Sequence, residues 1–194
     1  MNKQTSDQQV VILADDFTGA NDAGVSLAQA GMRVDVVLEA TYQSDAQALI
    51  YNSDSRALTA DAAQEKVAAL TESVLRQYSP TWLVKKIDST LRGNPGAEVM
   101  AMQQVTGAAA VIIAPAFPAA GRITRQGKCL VNGVLLTDTE FASDPKTPIT
   151  SADVGALFIG HSQNITPSQL PVALSHARAQ ARSEERRVGK ECRS

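Results

Sequence analysis

Apolar residues fall along this chain in short runs separated by polar stretches, and their spacing predicts its elements. Val10-Val11-Ile12-Leu13-Ala14 is a continuous apolar run of strand length, the mark of a strand buried on both faces of a parallel sheet. Asp15-Asp16 ends it, a helix is expected from near Asn21-Asp22, and Gly31 suits the left-handed position that closes a helix. Arg33 to Leu38, rich in valine, predicts a second strand, and Ala48 to Asn52 a third. Thr59 can cap a helix, and Val67, Leu70 and Val74 carry helical spacing to about Tyr78, before Pro80 breaks it. Trp82 to Ile87 predicts a fourth strand. A helix from Pro95 to about Gln104 has proline in its first turn, and Ala109 to Ala114 predicts a fifth strand. Strands alternating with helices predict an α/β fold, a Rossmann-like parallel sheet with flanking helices. After Pro115 the pattern changes: two apolar runs flank Asn132-Gly133, a strong hairpin signal, so a β-hairpin is expected to project from the α/β body. Ser151 to Gly160 and Ser168 to Ala181 read as helical.

Composition narrows the class of protein. At 194 residues, with 44% hydrophobic and 20% charged residues, the chain can bury the core of one good-sized globular domain. A net charge of −2 and few aromatic residues give no reason to expect nucleic acid or an anionic membrane as partner. Two cysteines, Cys129 and Cys192, make neither a disulfide framework nor a metal cluster, and the reducing cytoplasm is the expected compartment. The polar N-terminus lacks the apolar core of a signal peptide, and no apolar run approaches a membrane span.

Ligands of open parallel sheets bind beyond the carboxyl ends of the strands, and the polar clusters of this chain lie there. Asp15 and Asp16 follow the first strand and could accept hydrogen bonds from ligand hydroxyls or take a proton; Asp22 and Thr18 nearby can serve as helix caps. Asn52-Ser53-Asp54-Ser55-Arg56 follows the third strand, and Arg56 could pair bidentately with a carboxylate. Lys85-Lys86-Ile87-Asp88-Ser89-Thr90-Leu91-Arg92 ends the fourth strand. Lysine in a buried strand is costly unless paired, and the two lysines point to opposite faces, so at most one reaches the crevice of Asp88. Arg122, in the rigid Pro115–Arg122 stretch, reads equally as a site residue or as part of a hinge. A Walker A loop and a GxGxxG turn are both absent, and His161 and His176 fall in no metal-ligand spacing.

Four segments in series, ADDFTGANDAGV, NSDSRAL, KKIDSTLRGNPGAE and the stretch from Ala114 to Pro148, resemble the N-terminal domain of the four-carbon acid sugar kinases. The KKIDSTLRGN segment is most similar to the D-threonate branch of that family. The resemblance implies two α/β domains, with the N-terminal one (here residues 1–181) holding the sugar acid and an absent C-terminal one mainly holding ATP and Mg2+. It implies phosphoryl transfer to a hydroxyl of an acid of D-threonate or D-erythronate type, giving the 4-phosphate. Carried onto matching positions, it places Asp15, Asp16, Arg56, Lys86, Ile87, Asp88, Ser89 and Arg92 around the substrate, with Asp88 or Asp16 as the proton acceptor and no metal ligand in this half. A homodimer is compatible with it. Residues 182–194, RSEERRVGKECRS, resemble a translated sequencing adapter and are read as a non-native tail. The competing reading is a sugar-acid-binding or regulatory module without catalysis.

Overall fold

The computed structural model describes residues 9–39 and 42–158, with four separate positions between 169 and 175. A parallel sheet is built from β1 (Val10–Ala14), β2 (Val34–Val37), β3 (Ala48–Asn52) and β4 (Trp82–Lys86), in the order β2-β3-β1-β4. The two interior strands are the two continuous apolar runs. Residues 11–14 and 48–51 are buried, as expected of strands covered on both faces.

Alternation along these strands divides the core in two. Ile12, Ala14 and Ile50 face α1 (Phe17–Gln29), packing with Ala20, Leu27, Val34 and Val36. Val11, Leu13, Leu49 and Tyr51 face the other way, towards Val67 and Val74 of α2 (Ala60–Gln77) and Ala101 and Met102 of α3 (Pro95–Thr106). The chain after β1 therefore leaves on one face of the sheet, and the chains after β3 and β4 leave on the other. The diverging loops open a crevice at the carboxyl end of β1, where ligands of such sheets bind.

Residues 117–158 form a smaller body. It holds a three-stranded antiparallel sheet of β5 (Arg122–Arg125), β6 (Lys128–Val131) and β7 (Val134–Leu135). The Asn132-Gly133 turn is the expected hairpin, and β5 adds a third strand to it. Its core gathers Cys129, Leu136, Ile149, Ala152 and Val154, and Leu91 from the loop after β4 enters that core.

Four expectations are corrected. The first helix starts at Phe17 because Asp16 is its cap: the Asp16 carboxylate accepts from the Gly19 N–H at 2.8 Å. The helix after Pro95 runs on to Thr106, where Gly107 closes it in the left-handed conformation. Residues 109–114 form no strand; β4 remains an edge, Val111 and Ile112 are exposed, and Ile113 packs on the core of the smaller body. Residues 151–158 hold only a 3-10 turn at Gly155–Leu157. Their backbone is engaged elsewhere, since Ala152 and Val154 bond across to Cys129 and Gly127, and the Asp153 carboxylate accepts from Gly155. His161, His176, most of the 168–181 segment and the 182–194 tail lie outside the described residues. Among the described residues no helix is long and apolar enough to cross a membrane.

Candidate active site at the carboxyl end of the parallel sheet

Asp15 and Asp16 continue directly from β1. The Asp15 carbonyl accepts from the Ser55 and Arg56 N–H groups, at 3.0 and 3.2 Å, which stitches the loop after β3 to the end of β1. That backbone tie aims Arg56 at the aspartates. Its Nε and NH2 donate to the two oxygens of Asp15 at 2.7 and 3.1 Å, and its NH1 donates to Asp16 Oδ2 at 2.5 Å. Its NH2 also lies 3.6 Å from Asp88 Oδ1. One guanidinium thus faces three carboxylates from two loops, in the fork geometry that arginine offers. Burial works against the Arg56 charge, but the bonds from Asp15 and the charges of Asp88 and Asp16 outweigh it and raise its pKa.

The loop after β4 is held by its own carboxylate. Asp88 Oδ2 accepts from the Thr90 hydroxyl, from the Thr90 N–H at 3.1 Å and from Arg92 Nε at 3.0 Å, while Oδ1 accepts from Arg92 NH2 at 3.1 Å. Burial pushes the Asp88 carboxyl up, but the hydrogen bonds from Arg92 and Thr90, with the Arg92 and Arg56 charges, hold it well below the usual carboxylate range. The turn needs unusual backbone. Leu91 sits at φ 61°, uncommon for a branched side chain, and is kept there by burial in the core of the smaller body. Gly93, at φ 84°, lies against Arg56, where a Cβ would stand 3.3 Å from the Arg56 Cγ.

Lys85 and Lys86 separate as their alternation requires. Lys85 turns into the interior and pairs with Glu98 of α3 at 2.7 Å, and Glu98 in turn accepts from the Ser55 hydroxyl at 2.6 Å. Lys86 turns towards α1. Its ammonium donates to the Ile87 carbonyl at 2.9 Å and lies beside the first turn of α1, 3.8 Å from where a Gly19 Cβ would stand. Ser89 receives Arg122 NH1 from the smaller body at 2.7 Å. Arg92 and Arg122 both stand over the Phe141 ring, at 5.7 and 5.6 Å, and Arg92 NH1 reaches Asp144 at 3.6 Å. The Thr147 N–H and then the Lys146 N–H lower the Asp144 pKa, with a smaller contribution from Arg92. A cleft of about 230 Å3 opens beside Arg56 and Gly93, walled on its far side by residues 146–151.

The sheet therefore brings Asp15, Asp16, Arg56, Asp88 and Arg92 into one cluster, with Lys86, Ile87 and Ser89 along its rim. Glu98, Phe141 and Asp144 were not singled out by sequence: they lie within the resembling segments, but nothing local marks which group each one meets. Among the described residues no group of three or more His, Cys, Asp or Glu is arranged to hold a metal. The three converging aspartates enclose a guanidinium, a poor seat for a divalent cation, so their chemistry here is hydrogen bonding and charge.

Residues 10–192 match the family model described as the sugar-binding N-terminal domain. The chain belongs to that family. The resemblance read from its four segments is thereby borne out, as is the α/β fold with its parallel sheet. The chain is 51% identical over 152 residues to a D-threonate kinase of Salmonella typhimurium, covering 77% of the chain and 36% of the relative. It is 38% identical to a D-erythronate kinase of Heliobacterium modesticaldum, covering 93% and 43%. A solved structure from Bordetella bronchiseptica, described as a domain of unknown function with bound citrate and a domain-swapped dimer, superposes with a TM-score of 0.77 at 32% identity, covering 88% of this chain and 46% of that one. The chain thus spans roughly a third to under a half of the relatives it matches.

Proposed function

We propose that this chain is the sugar-acid-binding part of an ATP-dependent kinase that phosphorylates a four-carbon acid of D-threonate or D-erythronate type to its 4-phosphate in the cytoplasm. The observation that carries the reading is the Asp15–Asp16–Arg56–Asp88 cluster at the carboxyl end of β1. Carboxylates there suit ligand hydroxyls, and cations at the rim suit a carboxylate. The names of the kinase relatives support it, and the structural neighbour's citrate is itself a hydroxy acid. Nucleotide and its metal ion belong to the part of the protein that corresponds to the relatives' remaining length, and a homodimer accords with the domain-swapped neighbour.

Phosphoryl transfer asks the protein for positioning, charge stabilisation and a group that takes the hydroxyl proton. Asp88 has both oxygens occupied by Thr90 and Arg92 and is held firmly ionised, which makes it an anchor for the loop and a poor proton acceptor. Asp15 is buried with both oxygens on Arg56. Asp16 also has both oxygens engaged, but its side chain is 24% exposed against 4% for Asp15 and 10% for Asp88, and on that accessibility we assign the proton-accepting role to it. Its bonds to Gly19 and Arg56 fix the carboxylate in place.

Isothermal calorimetry of the 194-residue chain with D-threonate, D-erythronate and the 3-oxo acid tests the reading. Binding of at least one, abolished by Arg56→Ala and weakened by Asp16→Asn, is the expected result. Absence of binding to every acid by a folded chain overturns it.

A further inference from the structure

The cations of this site differ in what already neutralises them. Arg56 directs Nε, NH1 and NH2 at Asp15 and Asp16, and Arg92 is paired with Asp88 and Asp144. Both are committed to the protein's own carboxylates. Among the described residues, neither Lys86 nor Arg122 is paired with a carboxylate; Lys86 donates to the Ile87 carbonyl and Arg122 to the Ser89 hydroxyl. Arg122 has a further unmet demand, because its Nε is buried without a hydrogen-bond partner. A buried, unsatisfied donor on a permanent cation is costly, and native structures seldom keep one without a use.

The placement of Arg122 is also specified. It opens β5 of the smaller body, reaches Ser89 on the substrate loop with a 2.7 Å bond, and stands over Phe141 beside Arg92. Lys86 lies on the opposite flank, next to Asp16 and the first turn of α1. The carboxyl end of the sheet thus has an acidic side at Asp15 and Asp16 and a cationic side at Ser89 and Arg122.

We infer that Arg122, presented by the small sheet, is the specificity-determining residue that receives the carboxylate of the sugar acid, with Ser89 beside it. The acid then lies with its carboxylate towards the small sheet and its distal hydroxyl towards Asp16 and Lys86. This deepens the sugar-acid reading and rests on it. Arg56, by contrast, organises the aspartates that meet the hydroxyls.

Calorimetry of the 194-residue chain with D-threonate and with its neutral carboxamide separates the two claims. The wild type is expected to prefer the acid by tenfold or more, and Arg122→Gln to lose that preference while its affinity for the carboxamide stays within twofold. Arg122→Lys, which keeps the charge and loses the fork, is expected to fall between and serves if Arg122→Gln does not fold. An Arg122→Gln chain that keeps the acid preference overturns the inference and leaves the proposed function standing. So does an equal loss of acid and carboxamide, or an Arg122→Lys chain indistinguishable from wild type. A wild type that binds the acid and the carboxamide alike overturns it as well. A folded wild type that binds no four-carbon acid overturns the proposed function, and the inference with it.

Discussion

Glu98→Ala should be among the most damaging single substitutions in the sheet domain, although Glu98 touches no part of the crevice surface. Lys85 and Glu98 are buried to 4% and 1% side-chain exposure, with 2.7 Å between Nζ and Oε2. Removing the carboxylate leaves the Lys85 ammonium with the Lys86 carbonyl as its remaining partner, at 3.0 Å. It also takes the acceptor from the Ser55 hydroxyl. An uncompensated buried charge costs about 3–5 kcal/mol, a large share of the roughly 5–15 kcal/mol that stabilises a domain of this size. The double substitution Lys85→Met with Glu98→Leu removes both charges and fills similar volume. It should cost only the Ser55 hydrogen bond, about 1–3 kcal/mol, offset in part by the apolar packing gained. Urea unfolding followed by circular dichroism, with the two variants and wild type compared at one pH, gives both numbers. The reasoning fails if Glu98→Ala costs less than about 1 kcal/mol, or if the double variant is less stable than the single.

Three further outcomes follow from the same geometry. Asp88 is held below its ordinary range in the folded chain, so its contribution is fully present above the unfolded carboxylate value near pH 4 and is lost as pH falls below it. Asp88→Asn should lower stability at pH 7 and flatten the loss between pH 4 and 2, by at most about 1.4 kcal/mol per pH unit, as read from unfolding curves at each pH. Leu91→Ala should cost about 2–5 kcal/mol by emptying part of the small core, and should weaken acid binding because the Asp88–Arg92 loop loses its anchor. Gly96→Ala places a Cβ 1.9 Å from the Leu157 carbonyl oxygen, and limited proteolysis should then cut residues 146–158 faster than in wild type.

Much of the fold was legible because burial on both faces leaves a plain trace. β1 and β3 are the two strands whose apolar runs are continuous, and β3 falls at its expected residues. Apolarity alone says that a segment is buried and not by what, which is why 109–114 read as a strand although Ile113 serves the smaller core. The start of α1 was obscured by competing caps: Asp16, Thr18, Asn21 and Asp22 all have the chemistry, and only the Asp16–Gly19 bond decides. The strand-end rule found Asp15, Asp16, Arg56, Asp88 and Arg92, since position in a parallel sheet is readable from element order. Pairings were not readable. The cost of burying Lys85 was evident from its strand, yet Glu98 lies thirteen residues on in a helix (98 − 85), and no local pattern links them.

The loop from Asp88 to Gly93 carries the sheet's last strand into the site, and it is held from both bodies at once. Asp88 faces Arg56 of the sheet domain, Leu91 is buried among residues of the smaller body, and Ser89 meets Arg122. A non-glycine residue at positive φ costs roughly 1–3 kcal/mol, so the loop keeps this shape only while the small core holds Leu91. Docking of the smaller body therefore does two things with one contact surface. It fixes the backbone that aims Asp88, and it delivers the cation that the sheet's own carboxylates leave unpaired. Acidic groups come from strand ends and the uncommitted guanidinium from outside the sheet. In the function proposed above, a molecule bearing hydroxyls at one end and a carboxylate at the other would satisfy both bodies, which would tie recognition of the acid to the seating of the small sheet on the large one.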